Sequence, residues 1–183
     1  MRLLSRLGGL RVVVGVLTAI SALQLALITI GNITDYDTNH AFVQHVFAMD
    51  TTFKSPNMMW RAITSPGLVT AAYVLIIIWE GLAAIALIAA VVAWIRGSEL
   101  ARRLSSLGWL MEAMLFGGGF IAIGGEYFQM WQSSKWNGLS AALQNVIIAS
   151  VGLILTHLVA QRGTSRGRRE RAGDLEVDDG RAA

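Results

Sequence analysis

The chain has 183 residues, of which 54% are hydrophobic and only 15% charged, with a mean hydropathy of +0.54; a water-soluble domain rarely has this balance. A formal charge of +3 would speak for a nucleic-acid partner only if the basic residues formed a surface patch. They lie beside apolar runs and in a tail, so no nucleic acid is expected. With no cysteine, disulfides, thiolate metal ligands and thiol nucleophiles are excluded.

In chain order, the first apolar stretch runs from about Val12 to Ile30. Arg2 and Arg6 precede it, as in a signal peptide, but the run outlasts a signal core and no small-residue cleavage site follows, so a retained anchor is the better reading. The connection from Gly31 to Gly67 carries helix signals. Thr38 or Asn39 can cap a segment to Met49 whose Phe42, Val43, Val46 and Phe47 share one face, predicting a short helix in the headgroup region. Ser55-Pro56 and Ser65-Pro66 each offer a capping hydroxyl and a proline at the first helical position.

Further apolar stretches follow at about Leu68–Ile95, Leu104–Ile123 and Leu139–Val159. A helix needs about 20 residues to cross a hydrocarbon core of about 30 Å, and backbone amides left unpaired in lipid are too costly for any open structure. The expected fold is therefore an all-α membrane protein, a four-helix transmembrane bundle with a partly helical first outer loop. Gly117-Gly118-Gly119 and Gly124-Gly125 should loosen or kink the third span, or let another helix approach.

Twelve of the fifteen Lys and Arg residues precede the first span, lie between the second and third, or follow the fourth; only Lys54, Arg61 and Lys135 do not. By the positive-inside rule both termini are cytoplasmic. Residues 1–162 form the spanning domain. From Gly163 to Ala183 arginines and acids leave almost nothing to bury, so a disordered charged cytoplasmic tail is expected.

The second outer loop, Gly124 to Gly138, is dense in aromatic and amide residues. An aromatic belt explains tyrosine and tryptophan at an interface, but this density points further, to a folded outer cap built from Trp60, Arg61, Glu126, Gln129, Trp131 and Trp136, with Arg61 and Glu126 as charge partners.

The strings Asn32 to Tyr36, Met49 to Phe53, Met59 to Ile63, Trp79-Glu80 and Gly124 to Gly138 resemble those of the bacterial predicted small integral membrane protein family, domain of unknown function 2165. The resemblance covers about residues 1–160. It implies a four-span fold, a bacterial setting and no activity; Glu80 and the loop strings match it, whereas Glu112 is not mapped onto it.

Glu80 and Glu112 are the candidate intramembrane acids. Each lies 11 or 12 residues from the outer end of its helix, roughly 16–18 Å deep at the helical rise, so they can share a level. A carboxyl there is expensive and is a functional candidate by default. Two that meet would handle a proton or cation; the plainer alternative hydrogen-bonds each to a neighbouring helix, for instance at Gln24 or Asn145.

No cofactor or metal is expected. His40, His45 and His157 lie at different depths, and Asp35, Asp37, His40, His45 and Asp50 lack the i, i+4 histidine spacing of helical zinc motifs. The leading expectation is a non-enzymatic accessory or interaction subunit, since four spans leave little room inside for a large cavity. Its partners would be the lipid bilayer and a membrane protein or a second copy. Alternatives are a proton- or cation-coupled transporter or channel subunit using Glu80 and Glu112, and an outer-face enzyme using Glu126, Arg61 and the loop histidines and aspartates.

Overall fold

The structure, a computed structural model, describes the backbone of residues 9–179 and the side chains of residues 9–159. Its helices are α1 (Leu10–Thr34), α2 (Tyr36–Ala48), α3 (Pro66–Ile95), α4 (Leu100–Ala113, continued by Met114–Tyr127) and α5 (Leu139–Asp179). Among the described residues there is no strand. Among the described residues four segments are long and apolar enough to cross a membrane: Leu10–Thr34, Pro66–Ile95, Leu100–Tyr127 and Leu139–Val159. Each expected span is thus present, three of them a few residues longer than the apolar run alone. The backbone of residues 163–179, where a disordered tail is expected, continues α5 as helix; the side chains of residues 160–179 and all of residues 180–183 lie outside those described.

The spanning helices alternate in direction, as short contacts at successive levels show. A Cβ on Gly15 of α1 would meet Trp94 of α3 at 3.6 Å, and one on Gly81 would meet Thr29 at 3.5 Å. One end of the bundle carries Arg11, Arg96, Arg102 and Arg103 and is called the arginine end. The other, where residues 35–65 and 128–138 meet, is the cap end.

Small residues let the helices come close. A Cβ on Gly108 would lie 2.5 Å from the Leu87 side chain, and one on Gly152 would lie 2.4 Å from the Trp109 ring. Trp109 is fully buried, and with Val14, Leu25, Leu87 and Ala149 it forms the central core. Its indole donates to Ser21 Oγ at 3.1 Å, which ties α4 to α1 across the bundle. Thr18 and Ser105 repeat the tie one turn away, with hydroxyls 3.3 Å apart, and Gln24 donates to Asn145 Oδ1 at 2.7 Å. Polar side chains in a bilayer interior are tolerated where they find such a partner.

From Met114 to Tyr127 the chain winds in wide π-turns; Phe128 N–H, for example, donates to Ile123 O at 3.0 Å. The expected loosening by glycine takes this form, a change of helix type. Without Cβ atoms, Gly117–Gly119, Gly124 and Gly125 crowd the wider backbone least, and a Cβ on Gly125 would stand 2.8 Å from Leu139.

Two details of the first loop differ from expectation. Helix α2 begins at Tyr36, so Thr38 and Asn39 lie inside it; Thr38 Oγ1 instead donates to Asp35 Oδ1 at 2.9 Å. Its apolar face is turned into protein. Val43 packs with Val69 and Tyr73, and Val46 with Met49, Phe128 and Met130, because the second loop folds beneath it. Pro66 opens α3 as expected, although Ser65 makes no side-chain cap bond.

Candidate functional site

Glu80 is 2% exposed, and one of its oxygens ends a directional hydrogen-bond chain. Asn39 Nδ2 donates to Asn32 Oδ1 at 2.7 Å, and Asn32 Nδ2 donates to Glu80 Oε2 at 2.7 Å. Tyr73 fixes the middle of the chain from the side, its hydroxyl donating to the Asn32 carbonyl at 3.1 Å. Local structure sets this up: α1 ends at Thr34, the chain turns at Asp35, and α2 runs back so that Asn39 sits beside Asn32. Asn39 is exposed at the cap end, Asn32 and Glu80 are buried, so the chain leads from the surface inward.

The same residues line a cavity of about 260 Å³ to which α1 to α5 all contribute. Its polar wall is Asn32, Asn39, Tyr73, Glu80 and Asn145; Phe116 and Phe120, from the π-wound segment, face them as part of the apolar wall. The space is a half-open pocket between the helices, not a large internal cavity.

Glu112 is 1% exposed, and among the described residues neither carboxyl oxygen has a hydrogen-bond partner. The Trp79 indole donates to the Met111 carbonyl at 2.9 Å, which sets residues 79–80 and 111–112 at one depth. The two acids are nonetheless not hydrogen-bonded to each other: Glu80 is engaged by α1. Gln24 and Asn145, expected as partners of the acids, are bonded to one another.

At the cap end the two loops meet through several contacts. Thr51 Oγ1 donates to Ser133 Oγ at 2.9 Å, and Phe53 N–H donates to Gln132 Oε1 at 2.8 Å. The Phe47 and Phe128 rings stack at 4.6 Å. Arg61 pairs with a backbone oxygen and with rings, and no ion pair joins it to Glu126 among the described residues. Its Nη1 donates to the Tyr127 carbonyl at 3.2 Å, and its guanidinium lies 5.4 Å from the Trp60 ring and 5.1 Å from that of Tyr127. Trp60 itself stays 71% exposed, so the buried centre of the cap is Met49, Phe128 and Met130. Trp131 stands edge-on to Phe53, Trp136 stacks on His45 at 4.5 Å, and Gln129 donates through its amide to the Glu126 carbonyl.

The loop histidines and acids do not converge. His45 Nδ1 lies 2.7 Å from Asp50 Oδ2, while His40 meets Thr70 Oγ1 at 3.1 Å and stacks on Tyr36. Among the described residues no three His, Asp or Glu side chains are grouped to hold a metal.

Asn32 and Asn39 are the site residues that sequence reasoning missed. The available signal was a buried-acid span facing an anchor whose last turn ends in a carboxamide, Asn32, with a second carboxamide seven residues on.

Residues 10–159 match the family described as predicted small integral membrane protein (DUF2165). No curated protein and no solved structure matches the chain. With 150 of its residues matched and four membrane-length helices in place, the chain belongs to the predicted small integral membrane protein family.

Proposed function

We propose that the protein is a non-enzymatic accessory protein of the bacterial cytoplasmic membrane that works by binding, holding a small polar molecule beside Glu80 and presenting its cap to a membrane partner. The observation that carries this reading is the cavity of about 260 Å³, walled on one side by a carboxyl group and three carboxamides. Polar side chains inside a membrane protein are costly unless satisfied, and those that line a cavity mark a ligand or ion site. No serine, threonine, histidine or lysine is among the described residues that line that space, so binding is favoured over chemistry. Arg11, Arg96, Arg102 and Arg103 at one end, against Lys54, Arg61 and Lys135 at the other, support cytoplasmic termini.

The test is native mass spectrometry of the full chain released from nanodiscs without added ligand. A bound small molecule that is lost in Ala142→Leu, which fills the cavity from α5, is the expected result. Identical spectra for the two proteins, with no adduct on either, would overturn the reading.

One observation favours a second reading, proton-coupled transport by an oligomer: Glu112 is buried with both oxygens unpartnered, at the depth of Glu80. Proton flux into liposomes that is abolished by Glu112→Gln would establish it; flux equal to that of protein-free liposomes would remove it.

A further inference from the structure

We infer that the cavity beside Glu80 is a site for a small organic cation, an alkyl- or arylammonium ion that enters from the cap end; this rests on the binding reading above and names its ligand class.

Three features of the site argue for it. The first is the direction of the hydrogen bonds. Asn39 donates to Asn32, and Asn32 donates to Glu80, so the chain points toward Glu80 and, among the described residues, only its Oε2 is engaged. A carboxylate accepts at both oxygens, and Glu80 lines the cavity with its second acceptor unused. What completes the site is a donor, and a positively charged donor completes it best because charge-assisted hydrogen bonds are the stronger ones. Asn145 is turned to its neighbours: its Nδ2 donates to the Ala141 carbonyl at 2.9 Å, and its Oδ1 accepts from Gln24.

The second feature is the remaining wall. Phe42, Phe116 and Phe120 line the cavity with Ile76, and their rings sit in series, Phe116 to Phe120 at 5.4 Å and Phe42 to Phe120 at 6.4 Å. Aromatic faces attract ammonium groups and also bury hydrocarbon. A calcium or magnesium ion is held by oxygen ligands, water included, and the aromatic half of this wall offers none. A molecule with one charged nitrogen and an apolar remainder matches both halves.

The third is size and access. About 260 Å³ is a little below the ~300–1,000 Å³ of sites for drug-sized ligands, which suits a smaller molecule such as a butyl- or benzylammonium ion. Asn39 is exposed at the cap end and Glu80 lies at the inner end of the same chain, so a ligand moves inward along groups that lead to the acid.

The experiment uses the full chain in nanodiscs and reads thermal unfolding against n-butylammonium and benzylammonium, with n-pentanol and benzyl alcohol as neutral probes of similar shape. The expected result is a saturable rise in Tm with both ammonium ions, at least tenfold weaker half-saturation with the alcohols, and loss of the ammonium response in Glu80→Gln. Asn39→Ala, at the exposed mouth, keeps the test decisive if Glu80→Gln does not fold; its ammonium half-saturation should weaken several-fold. Equal responses to ammonium ions and alcohols, removed together by Ala142→Leu, overturn the cation assignment while leaving the cavity a binding site. Absence of any saturable response overturns the cation assignment, and the mass-spectrometric comparison of wild type and Ala142→Leu then decides separately whether the cavity binds anything.

Discussion

Trp109 occupies the space that a side chain on Gly152 would need, its ring atoms 2.4 Å from the site of the missing Cβ. The ring is held there by its bond to Ser21 and by full burial, so it has no free direction in which to yield. Gly152→Ala should therefore destabilise the protein by about 1–3 kcal/mol, the usual cost of overpacking. Gly31→Ala, where nothing lies within 4 Å, should be neutral or stabilising by up to ~1 kcal/mol because alanine favours a helix. Thermal unfolding in detergent compares the two, and equal effects would refute the close contact.

The loop contact between Thr51 and Ser133 makes a chemical prediction. Their hydroxyl oxygens are 2.9 Å apart, close to where two sulfurs bridge at about 2.05 Å, and the chain has no cysteine to interfere. Thr51→Cys with Ser133→Cys should form an intramolecular disulfide under mild oxidation, seen as a reduction-sensitive mobility shift. Failure to bridge while both thiols remain reactive would separate the two loops.

The two buried acids should answer substitution in opposite ways. Glu112 has no partner to lose, so Glu112→Met removes an unsatisfied buried group and should stabilise by about 1–3 kcal/mol. Asn32→Ala strips Glu80 of its donor and should destabilise by a similar amount for the same reason. Unfolding midpoints measured side by side test this; a strongly destabilised Glu112→Met would mean that its carboxyl is engaged.

Orientation is open to labelling. Single cysteines at Ser55 and Ser134, in the two cap loops, should react with an impermeant thiol reagent added outside intact cells, and one at Ser98 should react only after lysis. External labelling at Ser98 would invert the topology.

The four spans were readable from the sequence because lipid leaves the chain one solution: a run of about 20 apolar residues must satisfy its own backbone, and a helix does so with local bonds alone. The Ser-Pro start of α3 at Pro66 and the shared face of Phe42, Val43, Val46 and Phe47 were legible for the same reason, since both depend on neighbours within a turn or two. Glu80 and Glu112 stood out as acids in apolar runs, yet their circumstances were not decided by their own helices. Asn32 reaches Glu80 across 48 positions of sequence, and that contact depends on how α1 is rotated against α3, which packing at Gly15, Gly81 and Trp109 sets. Glu112, one level with Glu80, is left alone by the same rotations. Likewise Arg61 meets the Tyr127 carbonyl and two rings because the π-wound end of α4 carries Tyr127 to it. Local periodicity determined which segments cross the bilayer; the tertiary structure alone decided which polar groups face one another, because a hydrogen bond is lost within an ångström or so of displacement, far finer than any pattern of apolar residues records.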